Sequence, residues 1–378
     1  MTDSHFTNAR IILGDELIDG SLSIKNGKID SIDQYGSRTG IDLDGDFLVP
    51  GLVELHTDHL ETHYAPRPGV RWNPVASVQA HDMQIIGSGI TTVFDALRVG
   101  MDEDARLVAA DMHTLAQAIT KGDQSNRLRA DHYIHLRCEV SAPDVLDGFS
   151  MFDDVEKVRV VSLMDHTPGQ RQFTSMDVYK QYYQGKTGMS DAQFEAFVDR
   201  RLAQAEKYSG NHREIISEKC QSRPIILASH DDATVPHVEE AIENKVAVAE
   251  FPTTIEAADA SRKAGLKILM GAPNVVRGGS HSGNVSAHDL AEKGLLDILS
   301  SDYVPFSLLY GALTLAETSE EISLPQSIAM VSKTPAEAAG LDDRGEIAIG
   351  RRADLVQVHV DEGVPIVRAV WREGQRVA

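Results

Sequence analysis

Residues 48–63 read LVPGLVELHTDHLETH, an apolar strand-like run that breaks at Pro50-Gly51, resumes, and ends in His56-Thr57-Asp58. Side chains at i and i+2 of a strand point to one face, so His56 and Asp58 can converge on one point. An imidazole and a carboxylate at the end of a buried strand suit a divalent cation such as zinc. Read alone, the pair serves equally well as a hydrogen-bonded loop start, and the rest of the chain has to separate the two readings.

Outward from this stretch, the region 49–340 alternates apolar runs with helical patterns. The runs end near His56, Asp95 (GITTVFDA), Glu139 (YIHLRCE), His166 (VRVVSLMDH), His230 (PIILASH), Glu250 (VAVAE), Ala272 (KILMGA) and Asp302 (LDILSSD). Continuous apolar strands separated by helices imply parallel strands covered on both sides. Eight of them predict an α/β fold, a TIM-like (β/α)₈ barrel whose active site forms at the C-terminal ends of the strands. A doubly wound sheet would gather functional side chains at one switch point, whereas here they recur from run to run.

The two chain ends read differently. Residues 9–47 hold short alternating segments broken by Gly14, Gly20, Asn26-Gly27 and Gly36, and Asn26-Gly27 is a two-residue hairpin signal. The C-terminus answers with GEIAIGRRADLVQVHV, an Asp361-Glu362-Gly363 turn, and VPIVRAVWREGQRV. Segments 1–48 and 341–378 are therefore expected to pair into one small β-sandwich domain flanking the barrel. A helical insert, 176–222, interrupts the alternation. Ser190 is a good N-cap with Gln193 at the capping-box position, and Phe194, Phe197, Val198 and Leu202 supply a helical apolar stripe. It reads as a lid over the barrel mouth, or as a packing insert or oligomer contact.

Composition sets outer limits. The 378 residues are 42% hydrophobic and 25% charged, ordinary for a soluble globular protein. No apolar stretch approaches a membrane span, and MTDSHFTNAR lacks a signal-peptide pattern. Cys138 and Cys220 cannot build a disulfide framework, so a reducing cytoplasm is the expected compartment. The net charge of −21, from 36 basic and 57 acidic residues, argues against nucleic acid or an anionic membrane as main partner. It leaves room for a small anionic substrate met by a local basic pocket.

His56, His166 and His230 each close an apolar run, and with Asp58 and Glu139 they form a set able to hold one or two divalent ions, Zn²⁺ or Mn²⁺. Glu139 is placed to bridge them. Such an ion lowers the pKa of its water toward about 7, and Asp302, on the last strand, is placed to take the proton. His59, His63 and His81 read as solvated or structural groups, with His59 and His63 near enough to His56 to help line the mouth.

With its split β domain, strand-1 histidine motif, two later histidines and final SSD aspartate, the chain resembles the amidohydrolase superfamily. Within it, VPGLVELHTDHLE, APRPGVRW, SGITTVFDAL, HLRCE, SLMDHTPGQRQF, MGAPNVVRGGSHSGNVSA and SSDYVP closely resemble the PhnM-like phosphonate-metabolism family of the carbon–phosphorus lyase pathway. That resemblance implies hydrolysis of α-D-ribose 1-methylphosphonate 5-triphosphate to the 5-phosphate and pyrophosphate. By analogy it makes His56, Asp58, Glu139, His166 and His230 metal-site candidates and Asp302 the acid/base. The superfamily pattern has His-x-His on the first strand where this chain has His56-x-Asp58. It also has its later histidines on strands five and six, whereas His166 and His230 fall on the fourth and fifth runs. His59 stands where the phosphonate family is expected to have Asn.

A polyphosphate needs donors. The loop Asn274–Asn284 offers Asn274, Arg277, Ser280 and His281, with glycines that let backbone N–H groups approach anionic oxygens. Arg67 and Arg71 in APRPGVRW and Arg171 in TPGQRQ are further candidates. No P-loop motif occurs, so phosphate binding is not of that kind. The same scaffold also hosts deacetylases and cyclic amidases acting on C–N bonds, and a non-catalytic subunit of a phosphonate-pathway assembly is a third reading. A homo-oligomer, dimer or tetramer, is expected.

Overall fold

The computed structural model describes residues 3–34, 39–102, 105–173, 175–280 and 283–378. The N-terminal segment forms β1 (Ser4–Ile12), β2 (Leu17–Lys25), β3 (Lys28–Asp33), β4 (Ile41–Asp42) and β5 (Phe47–Pro50). Asn26 and Gly27 join β2 to β3 with φ of 54° and 77°, the left-handed pair that a two-residue hairpin matching strand twist requires.

The barrel strands follow: β6 (Leu52–Thr57), β7 (Ile90–Val99), β8 (Asp131–Glu139), β9 (Val158–Met164), β10 (Ile226–His230), β11 (Val248–Glu250), β12 (Lys267–Gly271) and β13 (Ile298–Ser300). They pair in parallel in sequence order. A parallel bridge between Thr57 and Asp302 closes first strand onto last, reinforced by Asp302 N–H donating to His56 O at 3.1 Å. Val53, Leu55, Phe94, Val160, Ala228, Val248, Leu269 and Ile298 fill the barrel interior. The inside is therefore a packed core, and only the rim is open for chemistry.

The C-terminal segment adds β14 (Leu355–Asp361), β15 (Val364–Arg372) and β16 (Gln375–Arg376). Both termini share one mixed eight-stranded sheet, in the order β16-β15-β14-β5-β1-β2-β3 with β4 beside β1. Glu362-Gly363, with φ of 49° and 79°, turns β14 into β15 as Asn26-Gly27 turns β2 into β3. An ion cluster pins this sheet to the barrel end opposite the rim. Asp131, at the start of β8, accepts from Arg344 at 2.6 Å and Arg372 at 3.1 Å and is ion-paired with Arg352 at 2.7 Å.

Among the helices, α1 (Leu60–Tyr64) follows β6 directly and α2 (Pro74–Gly87) leads into β7. Asn73 caps α2 by accepting from Ala76 N–H, with Pro74 as its first residue. Next come α3 (Ala109–Gln124), α4 (Val145–Ser150), and then α5 (Met176–Thr187) and α6 (Asp191–Gln221), which make up the insert. Ser190 and Gln193 form the reciprocal capping box at the start of α6. Phe194, Phe197 and Val198 are buried against Tyr179, whereas Leu202, expected in the same stripe, is 45% exposed. Its position on the helix faces water because α6 packs through only part of its circumference.

The second run differs from its reading. It does not stop at Asp95; β7 continues to Val99, and Asp95 is fully buried mid-strand. The carboxylate is tolerated there because His81 Nε2 and His132 Nδ1 each lie 2.7 Å from its oxygens. Among the described residues no helix is long and apolar enough to cross a membrane.

Candidate functional site

Three loops at the rim turn on non-glycine residues in the left-handed region: Asp231 (φ 57°) after β10, Phe251 (φ 53°) after β11 and Asp302 (φ 53°) after β13. Such backbone is costly for a side chain other than glycine and gathers at functional sites. Here it bends the chain so that strand-end side chains face inward over a cavity of about 910 Å³.

At the floor, His56 Nδ1 lies 3.1 Å from Glu250 Oε1, and His230 Nδ1 lies 3.3 Å from Glu250 Oε2. The His56 and His230 rings stand 5.8 Å apart, nearly parallel. Burial opposes a charge on Glu250, but the imidazoles of His56 and His135 beside it hold its carboxyl well below the usual range. The carboxylate is therefore ionised, as a metal ligand must be. Nearer the mouth, His166 stands 5.8 Å from His230, and Asp231 Oδ2 lies 3.4 Å from His230 Nε2 and 3.9 Å from His166 Nε2. That oxygen is buried and has no hydrogen-bond partner. An orphaned anionic oxygen facing two imidazoles is a site a cation would satisfy.

Two donor groups have the spacing of a metal site: His56, His230 and Glu250, and His166, His230 and Asp231. They share His230. Nitrogen and carboxylate donors of this kind suit zinc or manganese. His56, His166 and His230 thus come together as read from the sequence. Glu250 and Asp231, which complete these donor groups, were not among the residues expected there, although VAVAE ends on the first and the HDD after PIILAS contains the second.

Asp58 and Glu139 line the same cavity but are committed elsewhere. Asp58 Oδ2 accepts from Arg137 Nη1 at 2.7 Å. Glu139 Oε2 lies 2.6 Å from His166 Nδ1, while its Oε1 accepts from His166 N–H, Ser141 Oγ and Arg201 Nη2. Burial opposes its charge, but His166 and Arg201 bring it down to about 2. As placed, neither carboxylate belongs to the two donor groups, and both are paired with cationic side chains instead. Asp302 faces the cavity. Burial, then the neighbouring Asp58 carboxylate, raise its carboxyl to about 6.

Of the anion-binding candidates, Asn274, Arg277 and Ser280 line the cavity. His281 lies outside the described residues. Arg67 is exposed and does not line the cavity. Arg171 is buried, with Nη1 against Asp232 at 2.5 Å and Nη2 against Glu240 at 2.6 Å, so two carboxylates hold its guanidinium in the fold. Arg71 is likewise tied to Asp111. In their place Arg98, Arg106 and Arg137 reach the cavity. The insert walls its other side through Tyr182, Tyr183, Thr187, Met189 and Phe197.

Over 373 residues, 98% of this chain and 99% of the other, the sequence is 46% identical to α-D-ribose 1-methylphosphonate 5-triphosphate diphosphatase of Escherichia coli (strain K12). A sequence model of the amidohydrolase family matches residues 230–378. The chain belongs to the amidohydrolase family. Like other amidohydrolases it is a hydrolase, and that superfamily generally uses divalent metals, which the donor groups above accommodate. Solved amidohydrolase-type structures share its fold. N-acetylglucosamine-6-phosphate deacetylase from Pasteurella multocida covers all of both chains at a TM-score of 0.63 and 14% identity. L-hydantoinase from Arthrobacter aurescens covers 100% of this chain and 96% of its own at 0.56 and 16%. Against the superfamily pattern, this amidohydrolase carries His230 on its fifth strand and Glu250 on its sixth.

Proposed function

We propose that this amidohydrolase cleaves a phosphoanhydride, releasing pyrophosphate from α-D-ribose 1-methylphosphonate 5-triphosphate or a close analogue. The observation that carries the reading is the cavity lining. Arg98, Arg106, Arg137 and Arg277 surround the same space as His56, His230 and Asp302, in a chain of net charge −21. Arg137 is shared with Asp58 and Arg98 with Glu61, but all four guanidiniums line the cavity, and planar N–H pairs match phosphate oxygens. The 46% identical diphosphatase supports the same substrate.

In this reading His56, His230 and Glu250, with His166 and Asp231, hold one or two zinc or manganese ions. When bound, such an ion supplies Lewis acidity toward a phosphoryl oxygen and acidifies water. Arg277, Ser280 and Asn274 bind the terminal phosphates, and Arg137, held by Asp58, faces the charge that develops during P–O cleavage. The Asp302 carboxylate takes the proton of the attacking water and returns it to the product side. A carboxyl near pH 6 changes protonation state readily enough for both tasks. Asp58 and Glu139, expected as further ligands, stand beside this set with Arg137 and Arg201 as their partners.

The test is a pyrophosphate-release assay on chelator-stripped protein with Zn²⁺ or Mn²⁺ restored. Metal-dependent release from a ribosyl triphosphate is expected. Turnover of an N-acetyl or cyclic amide substrate, with none of the triphosphate, would transfer the site to C–N chemistry.

A further inference from the structure

A second group of imidazoles sits on the flank of the rim, outside the cavity. His59 and His63 are one helical turn apart at α1, so they share a face, with ring centres 5.3 Å apart. Helix α2 packs beside α1 and brings His81 to 5.8 Å from His63 and 6.2 Å from His59. It also brings Gln84, whose Oε1 lies 3.0 Å from His59 Nε2 and 3.2 Å from His63 Nε2. Donors around a tetrahedral ion with bonds near 2.0–2.1 Å stand about 3.3 Å from one another.

One detail of hydrogen bonding points to a cation, and a second is compatible with one. First, His81 is fully buried, and its Nε2 is 2.7 Å from Asp95 while its Nδ1 has no partner. A carboxylate on one ring nitrogen and a bare second nitrogen is how metal-binding histidines are held. Second, His59 Nδ1 faces the carbonyl oxygen of Tyr303 at 3.2 Å while its Nε2 faces Gln84 Oε1. A neutral imidazole has one N–H and cannot donate to both. Turning the Gln84 amide over would relieve His59 but leave the His81 nitrogen orphaned.

We propose that His59, His63, His81 and the Gln84 carbonyl oxygen form a second divalent transition-metal site, independent of the cavity. Three imidazoles and one amide oxygen select zinc, cobalt, nickel or copper over magnesium or calcium. His81 is the fixed donor, and the half-buried His59 and His63 rotate onto the ion. His59 adjoins Asp58, and its Nδ1 faces the carbonyl next to Asp302, so an ion here braces the two loops that close the barrel rim.

The experiment is metal counting by equilibrium dialysis against Zn²⁺ and Co²⁺, with the visible Co²⁺ spectrum as a second readout. Proteins compared are the full chain, His63→Ala, His59→Asn, His230→Ala, and His230→Ala combined with His63→Ala. His63→Ala is expected to lose one equivalent in both backgrounds and His59→Asn one in the full chain, with its tetrahedral Co²⁺ bands, while folding stays intact because both side chains are only half-buried. Asp95→Asn should weaken the same equivalent by about 10- to 100-fold. Equal stoichiometry with and without His63 in both backgrounds would overturn the proposal, as would an affinity indifferent to Asp95→Asn in folded protein.

Discussion

Arg201 Nη2 lies 3.2 Å from Glu139 Oε1, joining the middle of the insert helix α6 to the end of barrel strand β8, 62 positions earlier. The same nitrogen lies 2.8 Å from Ser141 Oγ, and the arginine is only 1% exposed. The insert therefore does more than cover the mouth. It supplies a buried cation that keeps Glu139 ionised and turned toward His166. Arg201→Met should leave Glu139 with weaker partners and destabilise the protein by about 2–3 kcal/mol, the scale of a lost hydrogen bond to a charged group. Urea denaturation measures this, and an unchanged midpoint would mean that the contact contributes nothing.

His230 belongs to both donor groups. His230→Ala should strip most bound metal from the cavity and lower pyrophosphate release by more than about 100-fold. Metal analysis beside the assay separates this from a purely chemical defect.

Asp302→Asn removes the proton acceptor without removing a ligand of either group. Metal content should hold while kcat falls about 100- to 10,000-fold, the range of general acid–base effects. Loss of metal in this variant would instead make Asp302 a ligand.

Arg277→Ala should raise KM for a triphosphate by about 10-fold or more, from a lost charge-assisted contact of about 1.5–3 kcal/mol. It should also flatten the salt dependence of kcat/KM and leave turnover of any neutral amide unaltered.

The buried chain Asp82–His132–Asp95–His81 makes stability depend on pH. Burial opposes the charge on His132, but Asp95 and Asp82 outweigh it and raise its pKa to about 9. Burial likewise opposes Asp95, whose carboxyl His132 and His81 bring down to about 2. A raised imidazole pKa stabilises fully below the unfolded value near 6.5, and this is lost as pH climbs through about 9. A lowered carboxyl pKa stabilises above about 4, and this is lost as pH falls through about 2. Both contributions are fully present only between about pH 4 and 6.5, and each fades gradually outside that window. The Tm difference between the native protein and His132→Gln should be largest near pH 5–6 and shrink toward pH 9. A difference independent of pH would show that His132 is neutral in the fold.

Much of the site was legible because of where residues sit in their strands. His56 and His230 close apolar runs and His166 follows one, and strand ends are the rim of a parallel barrel. Arg171 misled because an arginine after a strand looks the same whether it meets phosphate or protein. Only Asp232 and Glu240, 61 and 69 positions away, reveal that it is spent on the fold. Asp95 misled for the reverse reason. A carboxylate inside an apolar run reads as its end, yet two imidazoles from other elements let β7 continue through it.

Local patterns in the chain determined the eight parallel strands, the hairpins at Asn26-Gly27 and Glu362-Gly363, and the capped helix at Ser190, because periodicity and turn chemistry act over a few residues. Barrel closure and insert packing decided which polar groups touch. They bring Glu250 to His56, 194 positions apart, and turn Asp58 to Arg137 and Glu139 to Arg201. Coulombic and hydrogen-bond energies depend on distances of about 3 Å, and across such separations only the folded backbone sets those distances.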